Sequence, residues 1–480
     1  MSRLLDWPVL FGPGLFAVLM AFVVPRIQMP RTAYRVAFLA SLLVLIWTSA
    51  LATAYFGSAS STLVLDSTAP RWFGIDGFTA PLLPFEALLA LAALVAAGRG
   101  DPKKTAGLLA GEGVFLLLFA SLDLDLVCVL WVASFLPGLV TSRRGPGRRA
   151  VLFVALGSTV PLLIARVALA LDGRPTHLPT LLLDPIEHGG QLFFWGIMAA
   201  VAVRTALFPF HTWLLVALEH GSLPLTLLML SARPGAFLLA RVATPIAPEA
   251  ASDAMLPIAA GGLVTALYGG LLGIAQEKPR RAIGAIAISH SGLIVIGLCS
   301  GSTDAITGAL VQWTTVGVAV TGLGFIVACL EVRLGDLTRV RGLSSPLPGL
   351  SVAFILFGVA SVGFPGTLGF VGEDLLIHGV LESHPRLAAA MIVSTSLNGI
   401  TLMRMYMRTF LGPVMIPAPN PVRMRPRERI AALALIAVLI GFGLAPSAFV
   451  HSRTPAGFAL PVLQANLPAH HAKAPSNAPP

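Results

Sequence analysis

Charge is what this sequence has least of. Only 11% of its 480 residues are Asp, Glu, Lys or Arg, where a soluble domain carries about a quarter. That scarcity excludes an ordinary water-solvated surface. Cysteine is nearly absent too: Cys128, Cys299 and Cys329 each sit alone in an apolar run. Their spacing fits no disulfide framework, metal or cluster site, so they read as small packing hydrophobes. No Walker loop, dinucleotide fingerprint, His-Glu-x-x-His pair or nucleophile elbow stands in usable context. The expectation is therefore no cofactor, no metal and no catalytic nucleophile. A net charge of +10 would fit a nucleic-acid partner. The arginines fall in short loops between apolar runs, however, which is the pattern of cytoplasmic membrane loops, and no nucleic acid is expected.

What is present is apolar residues, 56% of the chain, with mean hydropathy +0.85. This predicts an all-α polytopic membrane protein. About fourteen runs are long enough to span. They start near Val9, Val36, Phe78, Thr105, Leu124, Ala150, Gln191, Leu223, Met255, Ala282, Ala305, Leu350, Leu387 and Ile430. Met1 to Val24 reads as the first span rather than a signal peptide, because Val24-Pro25-Arg26 offers no small-residue cleavage site. Basic clusters mark the odd loops: Arg26, Arg31 and Arg35; Arg99, Lys103 and Lys104; Arg143 to Arg149; Lys278, Arg280 and Arg281; Arg333 to Arg341; Arg423 to Arg429. Even loops lean acidic, as at Asp66, Asp76, Asp123, Asp184, Glu249 and Asp304. The alternation predicts an even number of spans with both termini outside. Only the seventh loop departs from it, with Glu219 and His220 where a basic cluster belongs. The tail from Gln464 to Pro480, rich in Pro, Ala and His, has no periodicity and is expected to be disordered. Its His470-His471 pair is read as part of that loose tail rather than as a metal site.

The stretch Val201–Arg241 organises the rest. Arg204 stands inside an apolar run, which then breaks at Phe208-Pro209-Phe210-His211. The next run carries Arg233 and Arg241. A charge at the centre of a membrane helix costs roughly 2.5–3.5 kcal/mol on insertion scales, so it marks an ion path or a paired site. A second break lies at Gly363-Phe364-Pro365-Gly366, followed by Glu373. Proline removes a backbone donor and glycine loosens the helix, so each break frees carbonyls within the membrane. Paired interrupted helices are the signature of inverted-repeat transporters. The chain accordingly divides into helices 1–3 (1–104), a first repeat (105–245), a second repeat (255–412), a C-terminal helix (428–451) and the tail (452–480). The candidate ion path is Arg204, Arg233, His290 and Glu373, with Pro209, His211, Pro365 and Gly366 at the breaks. The alternatives are arginines that snorkel to the interface, a favoured reading for Arg241, and a packing role for His290. His211 is read as a cap for freed carbonyls. His378, Glu86 and Glu112 carry no assignment.

Several motifs in order then resemble one family. Gly74-Ile75-Asp76-Gly77, Phe208-Pro209-Phe210-His211-Thr212-Trp213-Leu214, Ile288-Ser289-His290-Ser291-Gly292, Gly363 to Glu373 and Arg404-Met405-Tyr406-Met407-Arg408 are similar to the antiporter-like membrane subunits of respiratory complex I, nearest the chain M type. The resemblance implies a bacterial inner membrane, neighbouring membrane subunits as partners, protons as cargo, and no redox centre in the subunit. It implies a polar axis of a fifth-span glutamate, lysines on the seventh and eighth spans, histidines, and a twelfth-span glutamate. The matching positions are Val132, Arg204, Arg233, His290, Val316 and Glu373, and the ninth-loop acid is lost at Lys278. Arginine stays protonated in proteins, so Arg204 and Arg233 set a field rather than pass protons. With Val132 in place of the acid, Glu112, Asp123 or Asp125 are the substitutes to balance Arg204. Other readings are a degenerate structural or coupling paralogue, or a subunit of a multi-component cation/proton antiporter or ion-coupled carbon-uptake complex.

Overall fold

In the computed structural model, which describes residues 7–57, 72–142, 144–231, 234–338, 340–414 and 424–454, the described residues fold predominantly into helices. Among the described residues there is no strand, only the isolated bridges Phe73–Ser121 and Asp123–His177. The tail beyond Thr454 and Arg233 lie outside the described residues.

Helices α1 (Trp7–Val23), α2 (Pro30–Gly57), α3 (Leu82–Ala97) and α4 (Pro102–Ala120) come first. Next are α5 (Leu124–Ala133) with α6 (Leu136–Thr141), α7 (Pro146–Leu171), and the short α8 (Leu178–Leu183). An interrupted pair follows, α9 (Gln191–Arg204) and α10 (Thr212–His220). Then α11 (Leu223–Ser231), α12 (Pro234–Leu238), a π-helical turn at Leu239–Ala243 and α13 (Thr244–Ile246) lead to α14 (Pro248–Ala275). The long α15 (Pro279–Leu298) and α16 (Thr303–Leu334) precede a second interrupted pair, α17 (Pro348–Ser361) and α18 (Leu368–Leu381). The chain closes with α19 (Pro385–Phe410), α20 (Pro426–Leu444) and α21 (Ser447–His451).

A sequence with 37 prolines folds into helices because many prolines stand at helix starts. α4, α7, α14, α15, α17, α19 and α20 each begin on proline, where the missing N–H has no intrahelical partner to lose and φ is already set. Asp101, Asp123 and Ser302 cap α4, α5 and α16 with their side chains.

Eight described segments are long and apolar enough to cross a membrane, and four shorter apolar helices accompany them. The chain is a multi-pass membrane protein. α15 and α16 are buried along nearly their whole length and form the centre. α16 packs on α3, α11, α15, α17, α18 and α20. The peripheral helices instead turn apolar rows outward: Leu39, Leu43 and Ile46 on α2, Leu156, Val160 and Ile164 on α7, Ile392, Ile400 and Met403 on α19. An apolar exterior around buried polar groups is what lipid as solvent demands. Neighbours approach closely through glycine. At Gly262 facing Gly292, and at Gly14 facing Gly113, any Cβ would strike the opposite backbone.

Ion pairs divide the molecule into two ends. One end holds Asp76–Arg241, Asp125–Arg166, Arg174–Asp184 and His188–Glu249. The other holds Glu219–Lys278, Glu219–Arg281, Arg280–Glu331, Glu277–Arg408 and Arg333–Glu428. The first set belongs to even loops and the second to odd ones, and among the described residues no pair joins the two ends. The anomalous seventh loop is explained by the same arrangement. Glu219 lies 2.5 Å from Lys278 and 2.9 Å from Arg281 of the ninth loop. The Lys278 ammonium, and behind it Arg281, holds the Glu219 carboxyl below its usual range.

Candidate ion path

Arg204 is the last residue of α9. Fourteen residues at about 1.5 Å each lift it about 20 Å from Gln191, well into a hydrocarbon core of about 30 Å. Its side chain is buried. It faces three aromatic rings, Phe135 at 4.0 Å, Trp131 at 5.2 Å and Phe115 at 6.0 Å from the guanidinium carbon. Nη2 donates to Ser134 Oγ (3.1 Å), which in turn donates to Trp131 O (2.6 Å). Among the described residues no carboxylate lies within ion-pair distance of it. Desolvated cation–π contacts are worth up to about 2 kcal/mol each. The C-terminal end of a helix adds a favourable dipole for a cation. Those terms hold the charge in place of an acid.

The expected acids do not serve. Val132 points outward and is 44% exposed, so a carboxylate there would face away from Arg204. Asp125 is paired with Arg166. Asp123 caps α5 and accepts from Thr176 Oγ1 (2.7 Å). Glu112 accepts from Ser41 Oγ (3.1 Å). The break after Arg204 runs from Thr205 to His211, with Ala206 at φ +57°. The freed Val203 carbonyl is capped by Trp213 Nε1 (2.8 Å). His211 does not cap it; its ring packs instead on Phe208 and Tyr268.

At the second break, Pro365 and Gly366 lie in the turn between α17 and α18, and Gly363 and Gly366 take φ of +70° and +88°. Glu373, on α18, is buried and turned back toward that turn: any Cβ at Gly363 would collide with its carboxylate. Asp374 beside it and His378 are exposed. Gln312 of α16 bridges inward. Its Nε2 lies 3.4 Å from His290 Nδ1 on α15, and its Oε1 would be 3.0 Å from a Cβ at Gly372, next to Glu373. Below His290, Ser289 Oγ contacts Ser394 Oγ (3.0 Å) and accepts from Asn398 Nδ2 (2.9 Å). The structure thus places His290 against Gln312, and Gln312 against α18 at Gly372, while the Glu373 carboxylate turns to the Gly363 turn; all three side chains are buried. Arg204 stands apart, in its cage of rings from α4 and the α5–α6 segment.

Both breaks also reach the outer surface of the chain. Phe208, Pro209 and Phe210 at the first, and Phe364, Pro365 and Gly366 at the second, are exposed.

Arg241 does not snorkel. It is buried and paired with Asp76, whose Oδ1 accepts from Phe78 N (3.0 Å), Thr79 N (2.9 Å) and Thr79 Oγ1 (3.0 Å). Arg453, fully buried, donates to Phe78 O (3.1 Å). The Gly-x-Asp-Gly turn is therefore a clamp joining the start of α3, the π-helical turn and Arg453 just beyond α21.

Residues 114–399 match the family described as NADH:quinone oxidoreductase/Mrp antiporter, TM. The chain is 33% identical over 352 residues to NADH-quinone oxidoreductase subunit 13 of Thermus thermophilus, covering 70% of this chain and 75% of that protein. A chain of respiratory complex I from Thermus thermophilus with bound NADH has the same fold, with a TM-score of 0.83 at 26% identity over 94% of this chain and 99% of that one. A chain of the Mrp complex from Dietzia shares the fold as well, with a TM-score of 0.81 at 20% identity over 94% and 97%.

Proposed function

Because the chain belongs to the NADH:quinone oxidoreductase/Mrp antiporter transmembrane family, we propose that it is a proton-translocating, antiporter-like membrane subunit of a complex I-type NADH:quinone oxidoreductase. The observation that carries this is the buried Glu373 carboxylate turned to the break between α17 and α18, with the buried His290–Gln312 contact on α15 and α16. In this reading Glu373 takes up and releases the proton, and His290, positioned by Gln312, is a further group able to bind it. Arg204 is a fixed positive charge that biases where the proton rests, because a guanidinium does not let its own proton go. Electron transfer belongs to other subunits of the assembly.

Residues 105–245 and 255–412 are read as the two inverted repeats, with Arg204 just before the first break and Glu373 just after the second. The basic end faces the cytoplasm of a bacterial inner membrane, with both termini outside. The exposed breaks support neighbouring subunits packed against them, since irregular backbone is stable at membrane depth only when protein or water covers it. The caged, acid-free Arg204 favours one further reading, in which the first repeat couples rather than conducts.

The test is Glu373→Gln in the complex reconstituted in vesicles, with protons moved per NADH oxidised as the readout. Loss of this subunit's share, with electron transfer retained, is expected. An unchanged ratio removes Glu373 from the path and leaves the coupling role.

A further inference from the structure

Two carboxyls lie outside the site just described. Glu86 on α3 is 3% exposed and Glu112 on α4 is 1% exposed. Among the described residues no cation comes within ion-pair distance of either. Glu112 has one neutral partner, the Ser41 hydroxyl at 3.1 Å. Glu86 Oε1 has no hydrogen-bond partner among the described residues. Glu86 opens on a cavity of about 20 Å³ walled by Phe85, Phe119, Trp313, Thr314 and Gly317. That is room for a single water, which needs about 10–15 Å³.

The chemistry follows from the surroundings. A bare carboxylate this deep, with no counter-ion, is far costlier than the neutral acid. The neutral acid has an O–H to donate, and a water is the one partner that fits the cavity. The cavity wall Trp313-Thr314 follows directly on Gln312, so α16 carries this cavity and the His290 contact on adjoining positions.

We propose that Glu86 is a second proton-binding site of the subunit, holding an exchangeable proton against one water in the α3–α4–α16 cavity. Binding is simple protonation: a proton delivered by water converts the carboxylate to the acid, and release reverses it. The first repeat, whose Arg204 cannot exchange protons, thereby gains a titratable group from the N-terminal helices. Only this last role rests on the proton-moving reading; the site itself does not.

The experiment is infrared spectroscopy of the intact complex in H2O and D2O, in the carbonyl region of protonated carboxylic acids. Glu86→Gln is near-isosteric and is expected to delete one such band, and that band is expected to shift in D2O in the parent protein. Thr314→Val, which removes a polar wall at nearly constant volume, is expected to move the band without deleting it. A spectrum unchanged by Glu86→Gln overturns the proposal, as does a band insensitive to D2O or to Thr314→Val. The Glu373→Gln variant should keep the band. If it keeps both the band and full pumping, the ion-path reading fails and this site stands. If pumping is lost in Glu373→Gln but no Glu86 band exists, this site fails alone.

Discussion

Replacing Asp76 by Asn tests the clamp most directly. The substitution keeps an oxygen to accept from Phe78 N and Thr79 N, so the local turn survives. What it removes is the charge opposite Arg241, whose side chain is 6% exposed. Breaking one side of a buried ion pair costs about 3–5 kcal/mol because the remaining charge stays desolvated and unpaired. That is about two to four orders of magnitude in the equilibrium for undocking the clamp, at about 1.4 kcal/mol per tenfold. The assay is thermal unfolding of the detergent-solubilised complex, with native electrophoresis for assembly. Asp76→Asn should unfold well below the parent. Adding Arg241→Met should recover most of the loss, since two matched neutral side chains leave no stranded charge. An Asp76→Asn protein as stable as the parent, or a double variant less stable than the single, refutes this account of the motif.

Three other outcomes are expected. Gly363→Ala meets both a left-handed backbone, which costs about 1–2 kcal/mol for a residue with Cβ, and the Glu373 carboxylate. It should lower pumping and stability together, whereas Gly412→Ala, at φ +96° with open space around it, should lower stability alone; equal pumping in the two would argue against the Glu373 contact. Arg204→Lys should assemble normally and pump no less than the parent, because the cage suits either cation and lysine can also release its proton when desolvated; failed assembly on a native gel would mark the guanidinium as structural. Glu219 is held below its usual range by Lys278 and then Arg281, so the loop clamp is complete above the ordinary carboxyl range of about 4 and is lost only as pH falls through the depressed value. Spin labels on the seventh and ninth loops should therefore keep their distance through neutral pH and separate only in strong acid, and a transition near neutrality would contradict the assignment.

Class, interrupted helices and the two charged ends were legible in the sequence because each leaves a local trace: apolar length, Pro and Gly inside a run, and alternating loop charge. The environment of Arg204 left none. Phe115, Trp131 and Phe135 look like any lipid-facing aromatics, and only folding brings their faces around one guanidinium. The outward direction of Val132 depends on how α5 is rotated, which an aligned motif does not fix. Asp76 and Arg241 are 165 positions apart, so end-of-helix position favoured snorkelling for Arg241 where a partner exists. Gln312 did carry a signal, an amide in the middle of a long apolar run, and buried amides need partners.

The outward-facing breaks have a consequence for how much of this protein a cell can keep. A freshly inserted copy with no neighbour leaves Phe208-Pro209-Phe210 and Phe364-Pro365-Gly366 uncovered; the N–H groups of Phe208, Phe210 and Phe364 are bonded within the chain, and any carbonyl there without a partner costs several kcal/mol in lipid. A copy docked between neighbours escapes that cost. Surplus copies are therefore expected to be shorter-lived than docked ones, which faster loss of this subunit when it is expressed without its neighbours would show.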